Sequence, residues 1–358
     1  MPEVLDWQRV ADPQAIVHYA VQSLRQGRTV AFATETGYAV TASALMPEAV
    51  RQLPVDADNG EPLTLALRAA AEARDWAPAL SPLGRRLARR LWPGPVMLLV
   101  GGDIEGGLAS RLPEEIRAIL CVQGKLSLTT PRHEALREVL RHLPGPLLMA
   151  AANEARADVI VEDGPRSPAR PATVIAVNGD AWEIVRQGIV SEEQIRRQTS
   201  CLVLFVCTGN TCRSPLAEAL FKKRLTDRLG CAIEDLPARG YHAMSAGLSA
   251  AAGGPAAAEA EKVARGYGAD LSAHRSQPLT LELAAQADYL VGMTRSHLHA
   301  LTDYFGHLGV ASRLLDPAGD IADPIGGDQS VYAECSQHIW QLVENLAAEI
   351  VPSEAKQP

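Results

Sequence analysis

An apolar run, Leu202-Val203-Leu204-Phe205-Val206, leads into Cys207-Thr208-Gly209-Asn210-Thr211-Cys212-Arg213-Ser214 and then into Pro215-Leu216-Ala217-Glu218-Ala219-Leu220-Phe221. The run reads as a buried parallel strand. The closing segment reads as a helix, with Ser214 at the N-cap, Pro215 at the first helical position and Glu218 in the first turns. A short loop between them gathers backbone N–H groups around one point, and the helix dipole faces the same point, so an anion is expected there. Gly209 and Asn210 tolerate a left-handed backbone, which an inward-facing nest of amides requires.

The residue types make this cradle reactive. Cys207 would end the strand with its sulfur at the loop mouth, and helix N-terminal amides favour the thiolate form of a cysteine. Arg213 offers a planar fork for two oxygens of a phosphoryl group. The Ser214 hydroxyl is placed to donate to the sulfur. In a chain with 6 cysteines and 34 Lys+Arg, a Cys six residues before a basic residue is unremarkable by itself. The strand before, the Gly-Asn pair within and the Ser-Pro start after carry the specificity.

From Ser200 onward the chain resembles the low-molecular-weight cysteine phosphatases, whose signature is a valine-rich strand, C-x-G-N-x-C-R-S-P and a helix. The resemblance implies a phosphate-binding loop of Thr208, Gly209, Asn210, Thr211, Cys212 and Ser214. It implies Cys207 as nucleophile, Arg213 as phosphoryl anchor and Asp323 of Ile321-Ala322-Asp323-Pro324-Ile325-Gly326-Gly327 as the acid that protonates the leaving group. Asp316-Pro317 is a rival dipeptide. The family's supporting shell maps to Asn210, Ser214, Ser245 and His274, with local capping as the alternative role for the last two. Cys212 either shields Cys207 through a reversible disulfide or is a small buried residue. The resemblance implies no metal and no cofactor for this reaction, and phosphorylated proteins as substrates. The string C-T-G-N-T-C-R-S-P is similar to the protein-arginine phosphatase branch, where threonine at the place of Thr211 marks phosphoarginine preference over phosphotyrosine; packing of its methyl group is the alternative. Arsenate reductases share the fold and nucleophile but need two further cysteines, and the crevice side of the second half offers no close pair, only Cys231 and Cys335, far apart in sequence.

A length of 358 residues predicts two domains. Hydrophobic content of 47% with 21% charged residues is that of a soluble globular protein, and a net charge of -8 argues against a nucleic-acid partner held mainly by electrostatics. The polar N-terminus reads as no secretory signal and no apolar run reaches membrane-spanning length, so no membrane partner is expected. Cysteines without framework spacing predict a reduced, cytoplasmic compartment.

In the first half the patterns predict helices over 13–26, 47–53, 69–77, 82–91 and 131–142, the fourth with Arg85, Arg86, Arg89 and Arg90 on its exposed side. Strands are expected over 28–34, 96–100, 146–150, 159–161 and 173–177, and a short connecting helix capped by Ser191 within 188–200. The second half alternates strand and helix, which predicts a doubly wound parallel sheet. Its helices are expected over 214–229, 255–266, 296–305 and 330–350, with strands over 241–245, 288–293 and 310–315.

Residues from about 10 to 195 resemble the threonylcarbamoyl-adenylate synthase (YrdC-like) family. The matches are Thr34, Thr36 and Tyr38, Trp92-Pro93-Gly94-Pro95, Ala152-Asn153, Asp163-Gly164, Thr173-Val174 and Arg186-Gln187-Gly188. The resemblance implies a twisted α/β sheet over 1–197, joined to a phosphatase domain over 198–358. It implies ligand contacts at Thr34, Thr36, Tyr38, Asn153, Thr173 and Arg186, with strand packing as the alternative for the first three. Val55-Asp56-Ala57-Asp58 stands where the family has a lysine-arginine pair, and two carboxylates there would repel the phosphates of ATP. Ala33, Glu35 and Ala151 also depart from the family pattern, and Thr129 or Thr130 stands near an expected arginine. Lost adenylating chemistry is expected, leaving a nucleotide, RNA or partner to be bound. A chain with both synthase and phosphatase activity is the alternative.

Overall fold

The computed structural model describes residues 2–54, 63–101, 106–151, 156–164 and 170–351. The chain divides into two compact units, Met1–Thr199 and Ser200–Pro358.

In the first unit an 11-stranded mixed sheet carries the fold. Val30–Thr34 turns tightly into the antiparallel Gly37–Ser43, which pairs in turn with Leu147–Ala151. Val159–Glu162 lies parallel to Val30–Thr34, and Thr173–Asn178 lies parallel to Val96–Gly101. Helices Pro13–Arg25 and Glu134–His142 cover one face, burying Val17, Leu24, Leu136 and Val139 against Phe32. Helix Pro82–Leu91 buries Leu83 and Leu87 against Leu98 and Leu128 on the other.

Several expectations for this unit need correction. The segment 69–77 is a 3-10 turn, Ala70–Glu72, followed by one helical turn, Ala73–Trp76. Pro78 disfavours helical backbone at Ala77, whose ψ is 81°. The helix expected from 131 begins at Glu134, capped by the His133 ring, which accepts from Leu136 N–H at 3.3 Å. Arg86, Arg89 and Arg90 are half-buried rather than exposed. Arg86 and Arg90 donate to the carbonyls of Thr199 and Gln198 at 2.6 and 3.0 Å, where cations complement the C-terminal end of helix Glu192–Thr199. That helix opens as expected on Ser191, whose hydroxyl accepts from Gln194 N–H while the Gln194 side chain takes the Ser191 N–H.

The second unit is a four-stranded, all-parallel sheet in the order Tyr241–Gly247, Cys201–Cys207, Tyr289–Gly292, Ala311–Leu314. Period-2 alternation splits strand Cys201–Cys207 between two cores. Val203 and Phe205 meet helices Arg213–Leu229, Ala258–Gly266 and Gln329–Ile350. Leu202, Leu204 and Val206 face the side of helices Leu281–Gln286 and Arg295–Phe305. Phe205 and Phe221 are fully buried with rings edge to face at 5.4 Å, a pair worth about 0.5–1.5 kcal/mol beyond its buried area. The chain leaves Cys207 toward one neighbouring strand and later returns to the other. The end of this strand is therefore the switch point where such sheets open a crevice. Among the described residues no helix is long and apolar enough to cross a membrane.

Candidate active site

Cys207 is the last residue of Cys201–Cys207 and is 3% exposed. The following helix begins at Arg213, one residue before the expected start, and its N-cap is Cys212. Ser214 is thereby released from capping: its hydroxyl stands 3.0 Å from the Cys207 sulfur. The Asn210 N–H donates to the same sulfur at 3.3 Å. Of the two residues expected to take a left-handed backbone only Asn210 does so, at φ 55°; Gly209 is not among the positive-φ glycines.

Asn210 holds the loop from within. Its side-chain amide donates to Ser214 Oγ at 3.0 Å and Ser245 Oγ at 2.9 Å, while its Oδ1 accepts from Gln277 N–H at 2.9 Å. The His274 ring lies 2.8 Å from the Asn210 carbonyl, and Ser245 donates onward to Glu218 at 2.7 Å. Asn210, Ser214, Ser245 and His274 thus form one connected set. Gly247 makes room for it: a Cβ there would stand 2.5 Å from the Thr208 carbonyl oxygen. The helix expected from 255 begins only at Ala258, because the Ala257 N–H is spent on the Thr211 carbonyl at 2.9 Å, keeping the chain extended against the loop.

Arg213 is 6% exposed, and its guanidinium donates to the Ile321 carbonyl at 3.2 Å and pairs with the Asp323 carboxylate. Asp323 is the more open partner, its side chain 41% exposed. The rival Asp316 is engaged elsewhere, accepting from the Ala318 N–H at 2.9 Å and lying 3.0 Å from the His338 ring. The loop thus turns an amide and a hydroxyl onto the Cys207 sulfur, and the first residue of its helix, Arg213, pairs with Asp323.

Thr211 is half-buried, its hydroxyl 3.6 Å from Cys212 Sγ. Cys212 and Cys207 are both free thiols, and Cys212 contacts the Tyr332 hydroxyl at 3.2 Å. Burial and that contact raise the Tyr332 pKa. Cys335, one helical turn on, donates to the Ala322 carbonyl at 3.6 Å, and burial pushes its pKa up to about 11. Two residues at the loop escaped the sequence reading: Tyr332 and His297, whose ring nitrogen lies 3.0 Å from the Thr208 hydroxyl. The Met293-Thr294 strand end, which points a helix start at the crevice, was the available signal for His297.

The residues matched in the first unit are placed differently. Thr34 donates to the Gly37 carbonyl at 2.7 Å and touches the Thr36 hydroxyl at 3.2 Å, closing the turn between two strands. The Tyr38 hydroxyl donates to the Glu162 carboxylate. Thr173 is fully buried; its hydroxyl donates to the Val190 carbonyl at 2.9 Å and accepts from Gly188 N–H and Val190 N–H, both at 3.1 Å. Arg186 donates to the Ala172 carbonyl at 3.1 Å. The expected contact Asn153, its neighbour Ala152 and the acidic stretch 55–58 lie outside the described residues.

Comparison with known proteins divides the chain in the same way. Residues 22–188 match the Sua5/YciO/YrdC family model, described as telomere recombination, so the first half is a YrdC-like domain. Residues 202–356 match the model for low molecular weight phosphotyrosine protein phosphatase. A protein-arginine-phosphatase of Bacillus subtilis (strain 168) is 33% identical over 153 residues, 41% of this chain and 95% of that protein. One from Geobacillus stearothermophilus is 35% identical over 153 residues, again 41% and 95%. The low molecular weight protein-tyrosine-phosphatase Etp of Escherichia coli (strain K12) is 30% identical over 151 residues, 41% of this chain and 90% of that one. A strand-loop-helix nest with these relatives has one reading: through its second half, the chain belongs to the low molecular weight protein phosphatase family.

Proposed function

We propose that the second half dephosphorylates phosphoarginine in proteins, in preference to phosphotyrosine, through a cysteinyl-phosphate intermediate. The Cys207 thiolate attacks phosphorus in line while Arg213 and the loop amides hold the equatorial oxygens. The phosphorus–nitrogen bond breaks, and Asp323 delivers its proton to the departing guanidine nitrogen. Water then attacks phosphorus, gives its proton to Asp323 and releases phosphate and the thiolate. No metal or cofactor enters either step.

The observation that carries this reading is the Cys207 sulfur, met by the Asn210 N–H and the Ser214 hydroxyl beside Arg213. For phosphoarginine the support is chemical. Asp323 already pairs with one guanidinium, that of Arg213, and Thr211 sets a hydroxyl where a phenol ring would want an apolar wall. The first two relatives described above carry the same substrate in their names. For the first half we infer altered or lost adenylate synthesis: Thr173 is saturated by backbone groups and Tyr38 is turned onto Glu162.

Hydrolysis of matched phosphoarginine and phosphotyrosine peptides tests the preference. The wild type is expected to favour phosphoarginine, and Thr211→Ile to shift the ratio of kcat/KM toward phosphotyrosine by about tenfold, the scale of one side-chain contact. An unchanged ratio removes Thr211 from the argument.

A further inference from the structure

Helix Arg295–Phe305 starts where Tyr289–Gly292, a neighbour of the nucleophile strand, ends. Its N-cap is Thr294, whose hydroxyl accepts from the His297 N–H at 3.3 Å. His297 is 5% exposed, and its ring is engaged at both nitrogens. Nδ1 lies 2.9 Å from Thr294 Oγ1 and Nε2 lies 3.0 Å from Thr208 Oγ1, a partner 89 residues away that directly follows Cys207. The approach is close by construction, since a Cβ on Gly292 would stand 3.2 Å from the His297 Cβ.

Two neutral tautomers satisfy these contacts, and they differ in which way the Thr208 hydroxyl points. Thr294 Oγ1 accepts the His297 N–H and lies 2.9 Å from Nδ1 and 2.8 Å from Ser296 Oγ, so its own hydrogen can be offered to either. Where that hydrogen goes to Nδ1 the nitrogen is bare, and the ring proton sits on Nε2 and is donated to Thr208 Oγ1. The Thr208 hydroxyl then accepts from His297, and its own hydrogen is directed away from the ring. Thr208 is exposed at the loop mouth, where incoming phosphoryl oxygens are the available acceptors.

We propose that neutral His297 is a positioning residue of the phosphatase: it fixes the Thr208 hydroxyl as an acceptor toward the ring, so that its proton is offered to the phosphoryl group. The inference rests on the phosphatase reading of the Cys207 loop. The charged groups facing the ring are Arg213 from the loop helix and Asp320 and Asp323 from the segment before helix Gln329–Ile350. Burial and the Arg213 cation hold the ring's pKa below its ordinary 6.5, against the opposing pull of the two carboxylates, which agrees with a neutral imidazole.

The test is steady-state kinetics on the full chain with an aryl phosphate, using His297→Ala, His297→Gln, Thr208→Val and the Ala/Val double variant, with thermal melts to confirm folding. Misplacing a group at a reacting centre costs about 10- to 100-fold. His297→Ala and Thr208→Val are each expected to lose that much in kcat with a smaller change in KM. The double variant should lose no more than Thr208→Val alone, because both act through one hydroxyl. His297→Gln, whose amide can still donate to Thr208, should recover most of the rate. Multiplying losses in the double variant, or a wild-type kcat in His297→Ala, would overturn the role of His297. Activity surviving in Cys207→Ser would instead overturn the phosphatase reading on which it rests.

Discussion

The two halves each place threonines, a charged side chain and a turn at strand ends, yet they use them in opposite ways. At the Cys207 loop the polar atoms of Asn210, Ser214 and Ser245 bond to one another, the Asn210 N–H and Ser214 hydroxyl meet the sulfur, and Arg213 pairs with Asp323. In the YrdC-like half, Thr173 spends its whole hydroxyl on the backbone of 188–190, Thr34 closes its own turn and Arg186 reaches back to Ala172. Polar groups gathered on one sulfur and a buried ion pair, rather than spent on neighbouring backbone, distinguish a candidate site from a well-packed strand end.

This contrast can be broken most severely at the nucleophile. Cys207→Ser should lower phosphatase kcat at least about 10³-fold, since the remaining loop can bind phosphate without forming the intermediate; residual activity near wild type would erase the distinction drawn here. Asp323→Asn should cost about 10²- to 10⁴-fold with a poor leaving group and much less with an activated aryl phosphate, which departs without a proton. Equal losses for both substrates would mean that Asp323 acts only as the partner of Arg213. The mildest expected effect sharpens the comparison from the other side. Thr173→Val should destabilise the YrdC-like half by about 1–3 kcal/mol, because it strands one buried and one partly buried N–H group, while leaving phosphatase kinetics alone. Nucleotide titration of the same full-length variant separates packing from ligand contact: a Thr173-dependent ATP affinity would return this residue to a binding role.

The loop was legible because its parts are contiguous. A run of apolar residues, a Gly-Asn turn and a Ser-Pro start report on backbone geometry within about 15 residues, the range over which strand, turn and helix signals act. Legibility failed where a tertiary contact overrode a local preference. Ser214 suits an N-cap, but the cap is Cys212, two residues earlier, and the Ser214 hydroxyl turns to Cys207. Periodicity over 255–266 suits a helix, but the Ala257 N–H is drawn to Thr211. The arginines of 82–91 look solvated by pattern, yet two of them close the end of another helix.

What the residue order determined by itself was the chemistry available: a cysteine, a guanidinium and small polar residues on a strand-loop-helix whose backbone concentrates positive potential. Which carboxylate meets Arg213, and which ring meets Thr208, was decided only in three dimensions. Asp323 and Asp316 are each followed by proline and differ locally only in what comes after, Gly326-Gly327 and a helix for the former, but only Asp323 is carried to the guanidinium, 110 residues away along the chain. His297 reaches Thr208 because two strands lie parallel and in register, with Val206 opposite Gly292. Parallel pairing brings distant strand ends to one edge of a sheet, and no local pattern encodes which side chains will face each other there.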